Sequence, residues 1–160
     1  MIEIKKILYA TSLSDKSQQV YEYALQMAIK NNAQIILTHA ITPMSEMGRY
    51  YINQYLPATV TQKVRQEVEQ KIVNEIRTRV ENFNAEVFSH LALEEIMPIK
   101  KVIAHGAHSK VILEVAQREN VDVIVMGTEK NRDDISRSYT TREVLKRAKC
   151  PVLVVPVRDK

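Results

Sequence analysis

The sequence predicts a doubly wound α/β fold, in which a five-stranded parallel sheet carries helices on both faces. Two observations lead to this prediction. The strand-like segments are short, continuous apolar runs, whereas a strand with one wet face alternates apolar and polar residues. Helical patterns separate most of these segments, and parallel neighbours need such crossover connections. Strands that are buried on both faces and joined by helices form a Rossmann-like sandwich.

Length and composition fit a single domain over residues 1–160. The chain is 45% hydrophobic and 26% charged, with only 3 Gly and 5 Pro, which excludes disordered, collagen-like and low-complexity chains. No apolar run approaches the roughly 20 residues that span a bilayer, and the N-terminal MIEIKKILYA lacks the apolar core of a signal peptide. The single cysteine, Cys150, excludes an intramolecular disulfide framework and a four-cysteine zinc site. We expect a cytoplasmic protein.

The excess of positive charge lies at the C-terminal end of the chain. The net charge is +4; residues 1–127 contain 14 basic and 14 acidic side chains, whereas residues 128–160 contain 9 and 5. Such an end either meets phosphate, nucleic acid or an acidic partner, or is simply a solvated surface. No RNA- or DNA-recognition motif accompanies it, and aromatic residues do not interleave with it. We therefore expect neither a nucleic-acid nor a membrane partner.

Five strands are expected, each an apolar run with polar or turn-forming residues around it. The carboxyl ends of the first four should converge on one edge of the sheet, which is where doubly wound folds bind ligands. The predicted strands are Ile4–Thr11, Ala33–Ala40, Ile99–His105, Val121–Gly127 and Pro151–Val157.

Four main helices are expected between these strands. The first follows a cap at Ser14 or Asp15, the second runs from Thr59 to near Asn84, and the last covers residues 140–149 after a polar loop at 129–139. In the first helix the predicted inward positions are Val20, Tyr23, Ala24, Met27 and Ala28, and in the third, which ends at Arg118, they are Val111, Ile112, Val115 and Ala116.

Two connections are less regular. Residues 41–58 contain Pro43, Pro57 and three tyrosines, which act either as a lid or interface patch at the sheet edge, or as a cover for the edge of the core. Residues 85–98 contain HLALEEIMP, which reads as a short helix ended by Pro98. The three tyrosines are Tyr50, Tyr51 and Tyr55.

The segment that most favours ligand binding is VIVMGT together with the later TTREVLKRAKCPVLVV. Gly127 after a buried strand allows the backbone to approach a ligand closely. Thr140 and Glu143 fit the capping box T-x-x-E, and a helix N-terminus presents free N–H groups that suit phosphate. The cations on this loop or helix start are Lys130, Arg132, Arg137 and Arg142.

Over nearly its whole length the chain resembles the universal stress protein family. The stretches that carry the resemblance are KKILYATSLSDKS, AQIILTHA, AHGAHSKVILEVAQRENVDVIVMGT and KCPVLVVPV. The resemblance implies the adenine nucleotide α-hydrolase-like form of the sandwich. It also implies a homodimer that pairs through the last strand, here around Val152–Val157.

Members of that family which bind ATP carry G-x-x-G, nine further residues, and then G-S or G-T. Here Gly127 matches the first glycine, Lys130 and Thr140 replace the other two, and Thr141 keeps the hydroxyl. An Asp that follows the first strand in the binders is replaced by Ser12. Glycines in such a loop leave room for phosphate oxygens, and the Lys130 side chain would occupy that room. The β-branched Thr140 would be strained at a positive φ. These departures predict weak or no ATP binding.

The sequence thus predicts a non-catalytic regulatory or interaction module of the stress response, a homodimer with no cofactor. The alternative is a nucleotide-binding switch that holds ATP or AMP at the carboxyl-end rim of the sheet. No rim residue is a convincing general base, so we expect no enzyme, and slow ATP hydrolysis is the third interpretation. The candidate rim residues are Ala10, Ser12, Ala40, Met126, Gly127, Lys130, Thr140, Thr141 and Arg142.

Other kinds of site have less support. His105 and His108 have a spacing that invites a metal, but only His39, His90 and Cys150 are left to join them and no carboxylate cluster lies nearby in sequence. A serine nucleophile would need a turn such as G-x-S-x-G, which is missing. We expect no metal, and interpret Cys150 as a buried structural thiol.

Overall fold

The chain folds into one parallel sheet between two layers of helices, as predicted. A computed structural model describes residues 1–12, 16–42, 62–89, 99–129 and 135–157. In these ranges the strand order is β3-β2-β1-β4-β5, and all pairings are parallel. The strands are β1 (Lys6–Ala10), β2 (Gln34–Ile41), β3 (Ile99–His105), β4 (Val123–Glu129) and β5 (Val152–Val157), and the helices are α1 (Ser17–Asn31), α2 (Gln62–Ser89), α3 (His108–Glu119) and α4 (Ile135–Arg147).

The strand order reverses between β1 and β4. The chain runs outward from β1 through β2 to β3, then returns to the other side of β1 to form β4 and β5. Ala10, the last residue of β1, is in register with Met126, midway along β4. In open α/β sheets a crevice forms at such a switch point, because the connections leave on opposite faces.

Each face of the sheet has its own apolar core. On one face Ile7 and Tyr9 of β1 pack with α1, and on the other Leu8 packs with α3 and α4. This alternation within a continuous apolar run is what a strand buried on both sides requires. The four inward positions predicted for α3 are all buried, which confirms that part of the prediction: Val111, Ile112, Val115 and Ala116.

The buried face of α1 differs in part from the prediction. Val20, Ala24 and Ala28 are buried as expected, but Tyr23 is 55% exposed. The positions that complete the face are Tyr21 and Leu25. Apolar residues at i, i+4 and i+8 can be joined on the buried face by the residues before them or by the residues after them. In α1 the residues after them, Tyr21 and Leu25, are buried.

Several element boundaries also differ. The helix predicted to end near Asn84 continues to Ser89, and the last strand but one ends at Glu129 rather than at Gly127. The loop predicted for residues 129–139 is helical from Ile135. β4 runs on because β5 offers it ladder partners up to the pair of Glu129 and Val157. The predictions for Ser14, Asp15, the tyrosine segment and HLALEEIMP fall wholly or largely outside the described residues.

Helices α1 and α3 end in the same way. Asn32 and Asn120 adopt left-handed φ values of 52° and 51° just after them. The next amide then bonds back to the last helical turn: Ala33 N–H donates to Ala28 O at 2.9 Å, and Val121 N–H to Ala116 O at 3.1 Å. These left-handed caps turn the chain directly into β2 and towards β4.

Asp122 ties the start of β1 to the start of β4. Its Oδ2 accepts hydrogen bonds from the backbone N–H groups of Lys5 and Lys6, both at 2.8 Å. Its own N–H donates to the Lys6 carbonyl at 2.9 Å. One carboxylate therefore sets where the two central strands begin to pair. Within the described ranges no helix has both the length and the apolar character for a bilayer crossing.

Candidate functional site

Five of the predicted rim residues lie near the switch point between β1 and β4. Ala10 and Ala40 lie at the carboxyl ends of β1 and β2, and Met126 lies midway along β4, all on the face covered by α3; Ala40 and Met126 are buried. Ser12 follows β1, and Gly127 follows Met126 within β4. That these residues line a ligand-binding crevice stays a prediction.

Gly127 is explained by packing between α1 and the sheet. A Cβ atom built at this position would lie 2.7 Å from Cγ2 of Val20 and 3.2 Å from Cγ2 of Val157. Both valines are buried in the core beneath α1. Of the described glycines, Gly106 has the positive φ, at 146°. The need for a bare position 127 thus comes from a close helix–strand approach, a role glycine also has in other doubly wound folds.

Ser12 takes part in a local network of hydroxyl groups at the β1–α1 junction. Its Oγ lies 3.0 Å from Oγ of the buried Ser17. The Tyr9 hydroxyl donates to the Ser17 carbonyl at 2.8 Å, and the Tyr9 ring lies 5.1 Å from that of Tyr21. Burial raises the pKa of Tyr9 to about 12, against the opposing hydrogen bonds to Thr11 and Ser17. The position matched to the family's Asp therefore links the end of β1 to the start of α1 in this chain.

The start of α4 does not lie at Thr140, so the predicted capping box is wrong. Thr140 and Thr141 are partly buried within the helix, whose first residue is Ile135. Glu143 points its carboxylate towards Arg147, with Oε2 3.7 Å from the guanidinium Nε, instead of folding back on Thr140. Arg142 is exposed. The sequence did not predict a helix start at Ile135, because the residues before Thr140 have neither an apolar stripe nor a helix-breaking residue to mark it.

Lys130 lies outside the described residues, so its predicted place in the crevice stays untested. The same holds for Arg132. Arg142, a predicted rim cation that the structure describes, lies within α4 and is exposed.

His39 is a polar rim residue whose role the sequence reasoning did not find. It is 9% exposed near the end of β2, and its Nδ1 lies 2.9 Å from the Thr11 carbonyl, to which it donates. Burial lowers the pKa of His39, and His108 lowers it further, whereas the Thr11 bond acts in the opposite direction. In the neutral ring Nε2 is then an acceptor. The signal was available, because a histidine at the end of an apolar strand is unusual.

The remaining candidates do not gather into a site. Among the described residues, no three His, Cys, Asp or Glu side chains are grouped as metal ligands would be. His108 bonds to Thr42 across the ends of α3 and β2, with Nδ1 3.2 Å from Oγ1. Cys150 is partly buried, and burial together with the charge of Asp122 raises the pKa of its thiol. A raised pKa keeps the thiol protonated and weakly nucleophilic.

Comparison with known proteins gives the family. Residues 3–156 match the model of the universal stress protein family. The chain belongs to this family. Among its relatives, Universal stress protein A homolog 2 of Coxiella burnetii is 30% identical over 160 residues, with 99% of each chain covered. Universal stress protein MJ0577 of Methanocaldococcus jannaschii is 28% identical over 158 residues, with 94% of each covered.

Solved structures of universal stress proteins share the fold described above. MJ0577 superposes with a TM-score of 0.72 at 24% identity, over 99% of this chain and 100% of the other. UspA from Lactobacillus plantarum gives a TM-score of 0.71 at 18% identity, with the same coverage. The architecture expected from the family resemblance is therefore confirmed across the chain.

Proposed function

We propose that this universal stress protein is a non-catalytic regulatory or interaction module of the stress response in the cytoplasm, with weak or no ATP binding. One observation carries the proposal. Helix α4 begins at Ile135, so the amides of Thr140 and Thr141 lie inside a helix and do not form its phosphate-facing end. The first turn of a helix is where free N–H groups hold phosphate.

Two further observations support the same function. The Ser12 hydroxyl is engaged with Ser17, and a serine lacks the carboxylate that the family's ATP binders place there. Gly127, the one motif glycine that is kept, is accounted for by the Val20 contact. Gly127 and Ser12 thus each have a structural explanation within this chain that does not require a nucleotide.

The first experiment is a calorimetric titration of the purified protein with ATP and Mg²⁺, after a check for nucleotide carried through purification. We expect no saturable heat in the micromolar range. The variant Ser12→Asp, Lys130→Gly, Thr140→Gly restores the three motif positions, and we expect it to bind ATP at least roughly tenfold more tightly than the parent protein. Its matched control is Ser12→Ala, Lys130→Ala, Thr140→Ala, which removes the same side chains without restoring the motif.

Stoichiometric ATP binding by the unaltered chain would contradict the proposal. In that case the second candidate, an adenine-nucleotide switch that holds ATP or AMP at the rim, takes its place. Two solved structures favour that candidate: a universal stress protein in complex with cAMP, at a TM-score of 0.56 and 19% identity, and one from Archaeoglobus fulgidus in complex with dAMP, at 0.53 and 14%. They indicate that related sandwiches hold adenine nucleotides.

The proposed module is a homodimer that pairs through β5. This strand is at the end of the described sheet and bonds only to β4 there, so its outer edge is open. Val152, Leu153 and Val154 along it are half-buried. An open, apolar edge strand readily pairs with a second copy of itself.

Val154→Glu is expected to convert the dimer to a monomer, because it places a charge beside the pairing edge. Light scattering after gel filtration measures the mass, and circular dichroism confirms that the variant is folded. Ile29→Glu, at a 46% exposed position on α1, is the matched control and should stay dimeric. A parent protein that is already a monomer at micromolar concentration contradicts pairing through β5.

A further inference from the structure

A second cleft lies between α2 and the edge strand β3. Its volume is about 500 Å³, which falls within the approximate 300–1,000 Å³ range of small-molecule sites. Residues 102–104 of β3 supply apolar lining, and the charged residues of the lining are Arg77, Glu81, Lys101 and Arg118. β2 separates β3 from the switch point between β1 and β4, although Ala104 of the lining is in register with the rim residue Ala40.

The charges in this cleft are unbalanced. Among the described residues of the lining, three cations come from three different elements, Arg77 from α2, Lys101 from β3 and Arg118 from α3, and one carboxylate, Glu81, accompanies them. Within the described residues, neither Arg77 nor Lys101 forms an ion pair. Arg77 and Lys101 therefore bring positive charge to the cleft that no ion pair in the described part of the chain compensates, and such charge favours the binding of an anion.

Lys100, next to Lys101 in the chain, differs from it in having an ion-pair partner within the described ranges. Lys100 Nζ lies 2.7 Å from Oε2 of Glu119, and Arg118 Nε lies 3.4 Å from Oε1 of the same carboxylate. The Lys100 hydrogen bond is the main cause that lowers the pKa of Glu119. One acidic residue thus compensates Lys100 and part of Arg118, while the cations that face the cleft from α2 and β3 have no such partner.

We propose that this cleft binds a small anion that carries several phosphate charges. A guanidinium matches phosphate oxygens with two parallel N–H donors, and a lysine adds a point charge, so the set suits phosphate groups. The free edge of β3 adds backbone polar groups that have no strand partner in the described sheet. Because α2 lines one side and β3 the other, the cleft suits a compact ligand better than an added peptide strand.

The test uses inorganic tripolyphosphate as the probe, with the full chain at low salt. Calorimetry should show one saturable site, and amide NMR should show the largest shifts at Arg77, Lys101 and Arg118. Arg77→Ala, Lys101→Ala is expected to weaken binding at least roughly tenfold. The matched control is Lys71→Ala, Arg79→Ala, which removes two exposed cations of α2 outside the cleft lining and should change the affinity less than about twofold.

A gain-of-affinity variant keeps the test independent of folding defects. Glu81→Gln removes a carboxylate of the lining and should tighten tripolyphosphate binding several-fold. Three outcomes contradict the proposal: no saturable binding, equal weakening by the cleft pair and the control pair, or shifts that map to Gly127 and Arg142. The last of these would place the phosphate at the rim and would count against the proposed function as well, whereas the first two leave that function untouched.

Discussion

Replacing Gly127 with alanine is expected to lower the free energy of unfolding by about 1–3 kcal/mol. The new methyl group would lie 2.7 Å from Cγ2 of Val20, which is 3% exposed and has little room to move. Either α1 moves away from β4 or the Val20 side chain leaves its preferred rotamer, and both disturb the core that α1 shares with the sheet. Denaturant unfolding followed by circular dichroism measures the change.

A double-mutant cycle separates this contact from a general intolerance of position 127. Val20→Ala alone removes two buried methyl groups and should destabilise by about 2 kcal/mol. In the protein with both changes, the methyl at 127 partly fills the space left by the valine. The combined loss should therefore be smaller than the sum of the separate losses by about 1 kcal/mol. Strictly additive losses would show that the Val20 contact is not the reason for the glycine.

Asp122→Ala is expected to destabilise the protein by about 2–3 kcal/mol, because two backbone N–H groups lose a charged acceptor. Both bonds, to the amides of Lys5 and Lys6, are 2.8 Å long, and the Lys6 bond is partly buried. Asp122→Asn keeps an acceptor oxygen and should lose roughly half as much. Denaturant unfolding gives the free energies, and hydrogen exchange should show faster exchange of the Lys5 and Lys6 amides.

Glu114→Ala is the matched control for the loss of a carboxylate. Glu114 is an exposed residue of α3 whose ion pair with Lys110 is 3.8 Å long, so its removal should change stability by less than about 0.5 kcal/mol. If Asp122→Ala is equally mild, the register of β1 and β4 does not depend on this carboxylate. The strand cores alone would then be sufficient to align them.

The fold was predictable from sequence where one pattern allowed one interpretation. The apolar runs of β1 and β2 are typical of strands buried on both faces, and the inward face of α3 follows from four clustered apolar positions. The edge strand β3 departs from this pattern, because Lys100 and Lys101 are exposed. The start of α4 was not predictable in this way, since its first turns carry no apolar stripe. The exposed Tyr23 was not predictable for a similar reason. The narrow apolar stripe of α1 does not determine which neighbouring positions are buried, and packing against the sheet decides it.

For the candidate site, the sequence predicts which strands lie next to one another but not what holds each residue in place. The convergence of strand ends places Ala10, Ala40 and Met126 together from topology alone. The role of Gly127 depends on Val20, which is distant in sequence, and no local pattern reports that contact. His39 likewise gains its meaning from the Thr11 carbonyl on the neighbouring strand. Whether the rim holds a nucleotide stays a prediction.

The left-handed asparagines after α1 and α3 have a consequence for the denatured chain. Many helices end on a glycine at this position, yet the whole sequence contains only 3 Gly. An asparagine tolerates the left-handed conformation while it restricts the backbone more than glycine does when the chain is unfolded. Folding therefore loses less conformational entropy at Asn32 and Asn120 than it would with glycines there. These two turns thus stabilise the native state by restricting the backbone of the unfolded chain.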